Sequence, residues 1–162
     1  MEFRIAKIQD APVVQEIYNE HIRGGRSTMD RQVKSLADIQ AWFENFTDRE
    51  LVVVLEEGDY ILGWGIIKRY SDRIGYARAC ETAVYLRSRE LRKGYGTMIK
   101  KWLIDKCREL NYHHMVAKIF SVNEASIAYN RKLGYELVGT QREIGFVDGA
   151  WQDVTIMQLI LD

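Results

Sequence analysis

The chain has 162 residues, 47% hydrophobic and 28% charged, with Lys plus Arg and Asp plus Glu both at 23. That fits one domain over residues 1–162, able to bury roughly two thirds of its unfolded surface. Balanced charge supplies no global field for nucleic acid or an anionic membrane, so any anion site must come from local clustering. Cys80 and Cys107 lack CxxC spacing, the start MEFRIAKIQD has no apolar leader, and no apolar run nears the roughly 18 residues that a membrane span needs. These features predict a cytoplasmic protein with two free thiols.

Phe3 to Ala6 reads as a short strand, and Asp10 is placed to cap a helix that carries Val13, Val14, Ile17 and Tyr18 at helical spacing. His21 stands alone, and HIRGGRSTMDRQ forms a polar, glycine-containing loop suited to wall a substrate site. Ser35 with Asp38 resembles a capping box and opens a second helix through Ile39, Trp42 and Phe43. Leu51 to Leu55 and Tyr60 to Ile67 read as strands around the turn Glu57-Gly58-Asp59. A strand from Ala77 to Leu86 then enters a basic loop. Gly94 starts a helix whose Met98, Ile99, Trp102, Leu103, Cys107 and Leu110 share one face. His114 to Ile119 is a strand, Asn123 and Ser126 stand near the start of a helix ending at Gly134, and two strands close the chain around Asp148-Gly149. Hairpins at both ends with crossover helices between them predict α/β with a mixed sheet.

The run from Cys80 to Leu103 carries the chemistry. It joins a carboxylate-bearing strand, a loop with Arg87, Arg89, Arg92 and Lys93 around Gly94 and Gly96, and a helix start. Unpaired N–H groups at the positive end of a helix dipole, approached past glycines, suit a diphosphate. Ile99 occupies the place of the third glycine of a dinucleotide fingerprint, and no GxxxxGK motif exists, so neither of those nucleotide motifs applies. His113 and His114 point to opposite faces of a strand and have no third ligand at suitable spacing, which predicts no metal site. The four tryptophans read as core or interface, since no basic stripe accompanies them.

Val84-Tyr85-Leu86, the loop Arg92-Lys93-Gly94-Tyr95-Gly96-Thr97, and Asn123-x-x-Ser126 with Leu133-Gly134-Tyr135 resemble the acetyl-CoA site of the GNAT superfamily of N-acetyltransferases. Ile17-Tyr18-Asn19, Glu81-Thr82-Ala83-Val84-Tyr85 and the run from Arg142 through Gly145, Phe146, Gly149 and Trp151 to Asp153 are most similar to phosphinothricin and methionine sulfone or sulfoximine N-acetyltransferases. The resemblance implies a single-domain, mostly antiparallel twisted sheet flanked by helices, and acetyl-CoA as co-substrate. It places Val84, Tyr85 and Leu86 on the pantetheine arm, Arg92 to Thr97 on the pyrophosphate, and Asn123, Ser126 and Asn130 in the cofactor site. A backbone N–H near Tyr85 is implied as the donor to developing negative charge. Glu81 is implied as general base, which a substrate ammonium requires before its nitrogen can attack, and apolar Ala79, Ala83 and Val84 around it would raise its proton affinity. Arg73 is implied to hold an acidic group of the acceptor, with Met29 and Asp30 in the loop that covers it.

Two positions depart from the family pattern. Leu91 replaces the usual Gln or Arg at the head of the pyrophosphate loop, and Asn130 stands where relatives carry a Tyr or His acid for the departing thiolate. A thiol pKa of about 8.5 makes thiolate a tolerable leaving group without that acid. The expected function is acetylation of the amino group of a small amino acid or analogue, in a homodimer that contacts neither nucleic acid nor membrane. An enzyme of the same superfamily that modifies protein, peptide or polyamine amines is the nearer alternative; it needs an open groove, whereas Trp151 and the His21 to Met29 loop point to a closed pocket. A non-catalytic acetyl-CoA-binding module is the alternative from another class.

Overall fold

The computed structural model describes all of Met1–Asp162. Its elements are β1 (Glu2–Ile5), α1 (Ala11–Gly24), α2 (Leu36–Asn45), β2 (Leu51–Glu57), β3 (Tyr60–Arg69), β4 (Ala79–Leu86), α3 (Tyr95–Glu109), β5 (His114–Phe120), α4 (Glu124–Lys132), β6 (Glu136–Val147) and β7 (Ala150–Ile160). The strands form one sheet in the order β1-β2-β3-β4-β5-β7-β6, antiparallel throughout except for β4 beside β5. Consecutive strands joined by short turns must pair antiparallel, whereas the α3 crossover returns the chain in the direction of β4.

Each sheet face has its own core. Leu103, Ile99 and Cys107 of α3 pack on Val53, Ile67, Cys80 and Met115, all fully buried. On the other face Val14, Ile17 and Ile39 of α1 and α2 cover Val52, Val54 and Trp64. Because β2 is covered on both sides, its LVVVL run is apolar without alternation. Truncating a residue such as Leu103 to alanine would cost roughly 2–5 kcal/mol.

Local details depart from expectation where distant partners intervene. Asp10 does not cap α1: its carboxylate takes the Lys7 backbone N–H at 2.7 Å and the Arg4 guanidinium at 2.9 Å, and the Arg4 hydrogen bond holds its carboxyl below the usual range. A short 3-10 turn at Ile8–Asp10 delivers Pro12 to the first turn of α1 instead. The Ser35–Asp38 capping box is present, with Oγ accepting from Asp38 N at 3.1 Å and Asp38 Oδ2 accepting from Ser35 N at 2.9 Å. β4 starts at Ala79 and not Ala77, since Ala77 and Arg78 form a turn that follows the 3-10 turn at Ile74–Tyr76. On α3 the buried face includes Lys100 and Ile104, while Met98 is exposed.

Candidate active site

β4 and β5 pair over three rungs only, Ala79 with His114, Cys80 with Met115 and Glu81 with Val116. Beyond Glu81 the strands diverge, although β4 stays paired to β3 as far as Leu86. Val84, Tyr85 and Leu86 therefore have one backbone edge without a strand partner, and such groups need bonds from elsewhere. His21 meets part of that need, because its Nε2 lies 2.7 Å from the Leu86 carbonyl.

The same splay leads to the basic loop. Gly94 is the N-cap of α3 at φ 87°, in the left-handed region that glycine adopts without cost. A Cβ there would meet nothing within 4 Å, and one on Gly96 would lie 3.7 Å from Leu86 Cδ1, an ordinary contact. Gly96 is thus not required by packing within the fold. Its missing side chain leaves the first N–H groups of the 15-residue α3 open to a ligand, which is the fit a diphosphate demands. Two of the four flanking cations are committed: Arg87 donates to the Ile61 carbonyl at 2.6 Å and pairs with Glu16, and Lys93 pairs with Glu90 at 2.9 Å. Arg89 and Arg92 have no such partner and are exposed, as is Leu91.

On the far side of the splay, Asn123 caps α4, its Oδ1 accepting from Ser126 N at 3.2 Å. Asn130 is 2% exposed; its Nδ2 donates to the Ser126 carbonyl at 2.8 Å, while Oδ1 has no partner.

Glu81 faces the α1/α2 side of the sheet, in a cavity of about 970 Å³. Alternation along β4 puts Cys80 and Thr82 in the opposite core and leaves Glu81, Ala83 and Tyr85 on this face. Its surroundings are more polar than the sequence neighbours imply. Lys118 Nζ lies 3.6 Å from Glu81 Oε2, and Lys68 is the cross-strand partner on β3. Adjacent parallel strands make the Lys118 approach, which spacing along the chain does not reveal.

The 25–34 loop walls one end. Tyr18 donates to the Asp30 carboxylate and shares a 2.9 Å hydrogen bond with Thr28, and Lys34 lies 3.5 Å from Asp30. Met29 lies over Gly145 of β6, where any Cβ would collide with its thioether. His21 does not stand alone: one helical turn from Tyr18, it bonds Ser27 Oγ through Nδ1 at 2.6 Å and packs edge-on to Tyr85. Burial disfavours its protonated form.

Two expected residues lie elsewhere, as does Arg142 of the C-terminal run. Arg73 is exposed at the head of the Ile74–Tyr76 turn and does not line the cavity, whereas Gly75, Tyr76 and Arg78 do. Trp151 is 62% exposed and pairs with Phe146 at the β6–β7 tip, so it does not close the pocket. Arg142 is exposed on β6 and outside the lining. His113 and His114 both reach the cavity rim, although only His114 belongs to β5. No cluster of three His, Cys, Asp or Glu side chains is arranged for a metal, and no helix is long and apolar enough to cross a membrane. Behind β4, Lys100 is buried with its ammonium on Thr82 Oγ1 at 2.7 Å and over the Tyr135 ring, and burial lowers its pKa to about 8.

Residues 3–156 match the acetyltransferase (GNAT) domain family. An L-methionine sulfoximine/L-methionine sulfone acetyltransferase of Pseudomonas aeruginosa is 32% identical over 98% of this chain and 94% of its own length. A GNAT superfamily phosphinothricin acetyltransferase from Sinorhizobium meliloti, solved in complex with acetyl-CoA, superposes with a TM-score of 0.93 at 30% identity, over 99% of this chain and 88% of that one. A ribosomal-protein-alanine N-acetyltransferase from Brucella melitensis superposes with a TM-score of 0.95 at 30% identity, over 99% and 100%. By its sequence and its fold, this chain belongs to the GNAT family of acetyltransferases.

Proposed function

We propose that the protein transfers an acetyl group from acetyl-CoA directly to the amino group of a small amino acid or amino-acid analogue, of the methionine sulfone, sulfoximine or phosphinothricin type. The observation that carries the reading is the placement of Glu81 at the last β4–β5 rung, where the cavity on one sheet face meets the splay. Acetyl-CoA supplies an activated acyl group. The chain's residues do the rest.

The glycine loop and the α3 N-terminus hold the pyrophosphate, with Arg92 to Thr97 as contacts and Asn123, Ser126 and Asn130 on the far side of the splay. The free edge of Val84, Tyr85 and Leu86 binds the pantetheine amides. A backbone N–H near Tyr85 meets the developing negative charge, a contribution of about 3 kcal/mol for one well-placed donor. Glu81 takes the proton from the acceptor ammonium, directly or through a water, and its carboxylate also favours the cationic acceptor on arrival. Met29 and Asp30 cover the acceptor. The acid group of an amino acid meets the cationic wall of the cavity, where Lys68 and Arg78 stand, in the role that the resemblance implied for Arg73.

The small acceptor is favoured by the methionine sulfoximine/sulfone relative, which aligns along nearly the whole chain. The ribosomal-protein-alanine enzyme supports a protein amine as the second reading, and Trp151, outside the cavity lining, does not close the cavity against one. A homodimer in the cytoplasm completes the proposal. It is supported by β6, an edge strand on which Val138, Ile144 and Phe146 are all more than half exposed. A thiol-release screen over methionine sulfone, sulfoximine, phosphinothricin, polyamines and alanine-ending peptides tests the acceptor. Turnover of peptides alone would overturn the amino-acid reading.

A further inference from the structure

Glu81 already has an amine of this chain beside it. Lys118 Nζ lies 3.6 Å from its Oε2, and the lysine side chain is 48% exposed. An amine next to a general base, in a contact that is loose before the reactants bind, is the pairing that activates a lysine as nucleophile. The backbone fixes where that amine lies. The last β4–β5 rung joins Glu81 to Val116, and Lys118 stands two residues further along β5, about 7 Å into the splay. Ala117 and Ile119 belong to the opposite core, so Val116 and Lys118 share the cavity face. To approach Glu81, the Lys118 side chain runs back over the start of the splay. A pantetheine arm that follows Val84 to Leu86 brings its thioester to that same place.

We propose that Lys118 is a site of self-acetylation: when no acceptor occupies the cavity, its amine stands in for the acceptor at Glu81 and receives the acetyl group of acetyl-CoA. The inference rests on the proposed function, with Glu81 as base. Glu81 removes one proton from the Lys118 ammonium, and the lone pair freed on Nζ attacks the thioester carbonyl. The C–S bond breaks as the C–N bond forms, and the second proton passes from the nitrogen to the departing CoA sulfur, with no change of oxidation state. The product is a neutral amide, which ends the ion pair with Glu81. Other amines near the site are less well placed. Lys68 faces Glu81 across β3 but makes no ion pair with it, Lys34 pairs with Asp30 at 3.5 Å, and Lys100 is buried behind β4 on Thr82. An amino-acid acceptor brings its own ammonium to Glu81 and displaces Lys118, which confines the modification to protein without acceptor.

The test incubates wild type, Glu81→Gln and Lys118→Arg with isotope-labelled acetyl-CoA alone and follows every lysine peptide by mass spectrometry. In the wild type, label should collect on Lys118 ahead of all other lysines. Glu81→Gln should slow that labelling roughly 100-fold, the scale of general-base catalysis, while exposed lysines such as Lys7 and Lys101 label slowly and alike in both. Lys118→Arg keeps the positive charge and should leave its peptide unlabelled. Methionine sulfone at saturation should suppress the labelling of Lys118 as it is itself acetylated. Thermal melting checks that both variants are folded. A wild type that acetylates methionine sulfone yet leaves Lys118 unmodified in its absence overturns the inference and leaves the function standing. Labelling that is as fast in Glu81→Gln, that turnover of the sulfone fails to suppress, or that falls on Lys68 instead does the same. Transfer to neither Lys118 nor any amino acid overturns both.

Discussion

Replacing Glu81 by glutamine removes a proton acceptor while nearly preserving shape, and the structure indicates how much stability changes with it. The only ion pair at Glu81 is with Lys118 at 3.6 Å, where the two side chains are 25% and 48% exposed. Such half-solvated pairs contribute about 0–1 kcal/mol, which for a chain of this size shifts Tm by no more than roughly 2–4 °C. The amide still fills its place between Lys68 and Val116 on the neighbouring strands. Loss of general-base catalysis should instead lower kcat roughly 100-fold or more. Thiol release at saturating amino acid measures the rate, calorimetry with acetyl-CoA should show unchanged affinity, and a melting curve separates chemistry from unfolding. A Glu81→Gln protein that melts normally and turns over within about threefold of wild type, well short of general-base magnitudes, would refute the assignment.

Gly96→Val should fold, because its Cβ makes only an ordinary contact with Leu86, yet lose acetyl-CoA affinity by about 10-fold or more as the branched side chain blocks the phosphate approach; unchanged calorimetry would move the pyrophosphate elsewhere. Arg73→Ala should leave most of the preference for methionine sulfone over its amide, since Arg73 lies outside the cavity, while Arg78→Ala should erase roughly 10-fold or more of it. For Lys100, burial lowers the folded pKa to about 8 from the ordinary 10.5. Between those values the unfolded chain holds a proton that the folded one lacks, so folding stability rises with pH there, by at most about 3 kcal/mol from this group. Urea unfolding of wild type and Lys100→Met from pH 7 to about 10 should show the rise only in wild type.

Features set by near neighbours were legible in the sequence. The Ser35–Asp38 box closes within one turn, the Gly58 and Gly149 hairpins sit where left-handed residues are needed, and the glycine loop precedes α3 as expected. The order of helices and strands followed from apolar spacing. Other parts depend on partners far along the chain. Asp10 was expected to cap α1, but Arg4 and Lys7 compete for its carboxylate. Ala79, Ala83 and Val84 suggested apolar surroundings for Glu81, yet adjacency of β4 and β5 brings Lys118 to it. The burial of Lys100 on the apolar face of α3 was not legible, because an ammonium held by a threonine and a tyrosine ring leaves no charge pattern in the sequence. Tyr18 and His21, three residues apart on α1, share a face by helical spacing, a signal that could have linked His21 to the site. Its contacts with Ser27 and Leu86 required the loop and sheet to be placed first.

The central claim is direct acetyl transfer from acetyl-CoA to an amino acid in the Glu81 cavity. The most direct measurement mixes protein, isotope-labelled acetyl-CoA and methionine sulfoximine in a single turnover, then follows the label by mass spectrometry of both amino acid and protein. The label should appear on the α-nitrogen of the amino acid as CoA thiol is released, with none on the protein at any time and a much slower course in Glu81→Gln. Label that passes through a protein side chain, or that leaves as free acetate while the amino acid stays unmodified, would contradict the account.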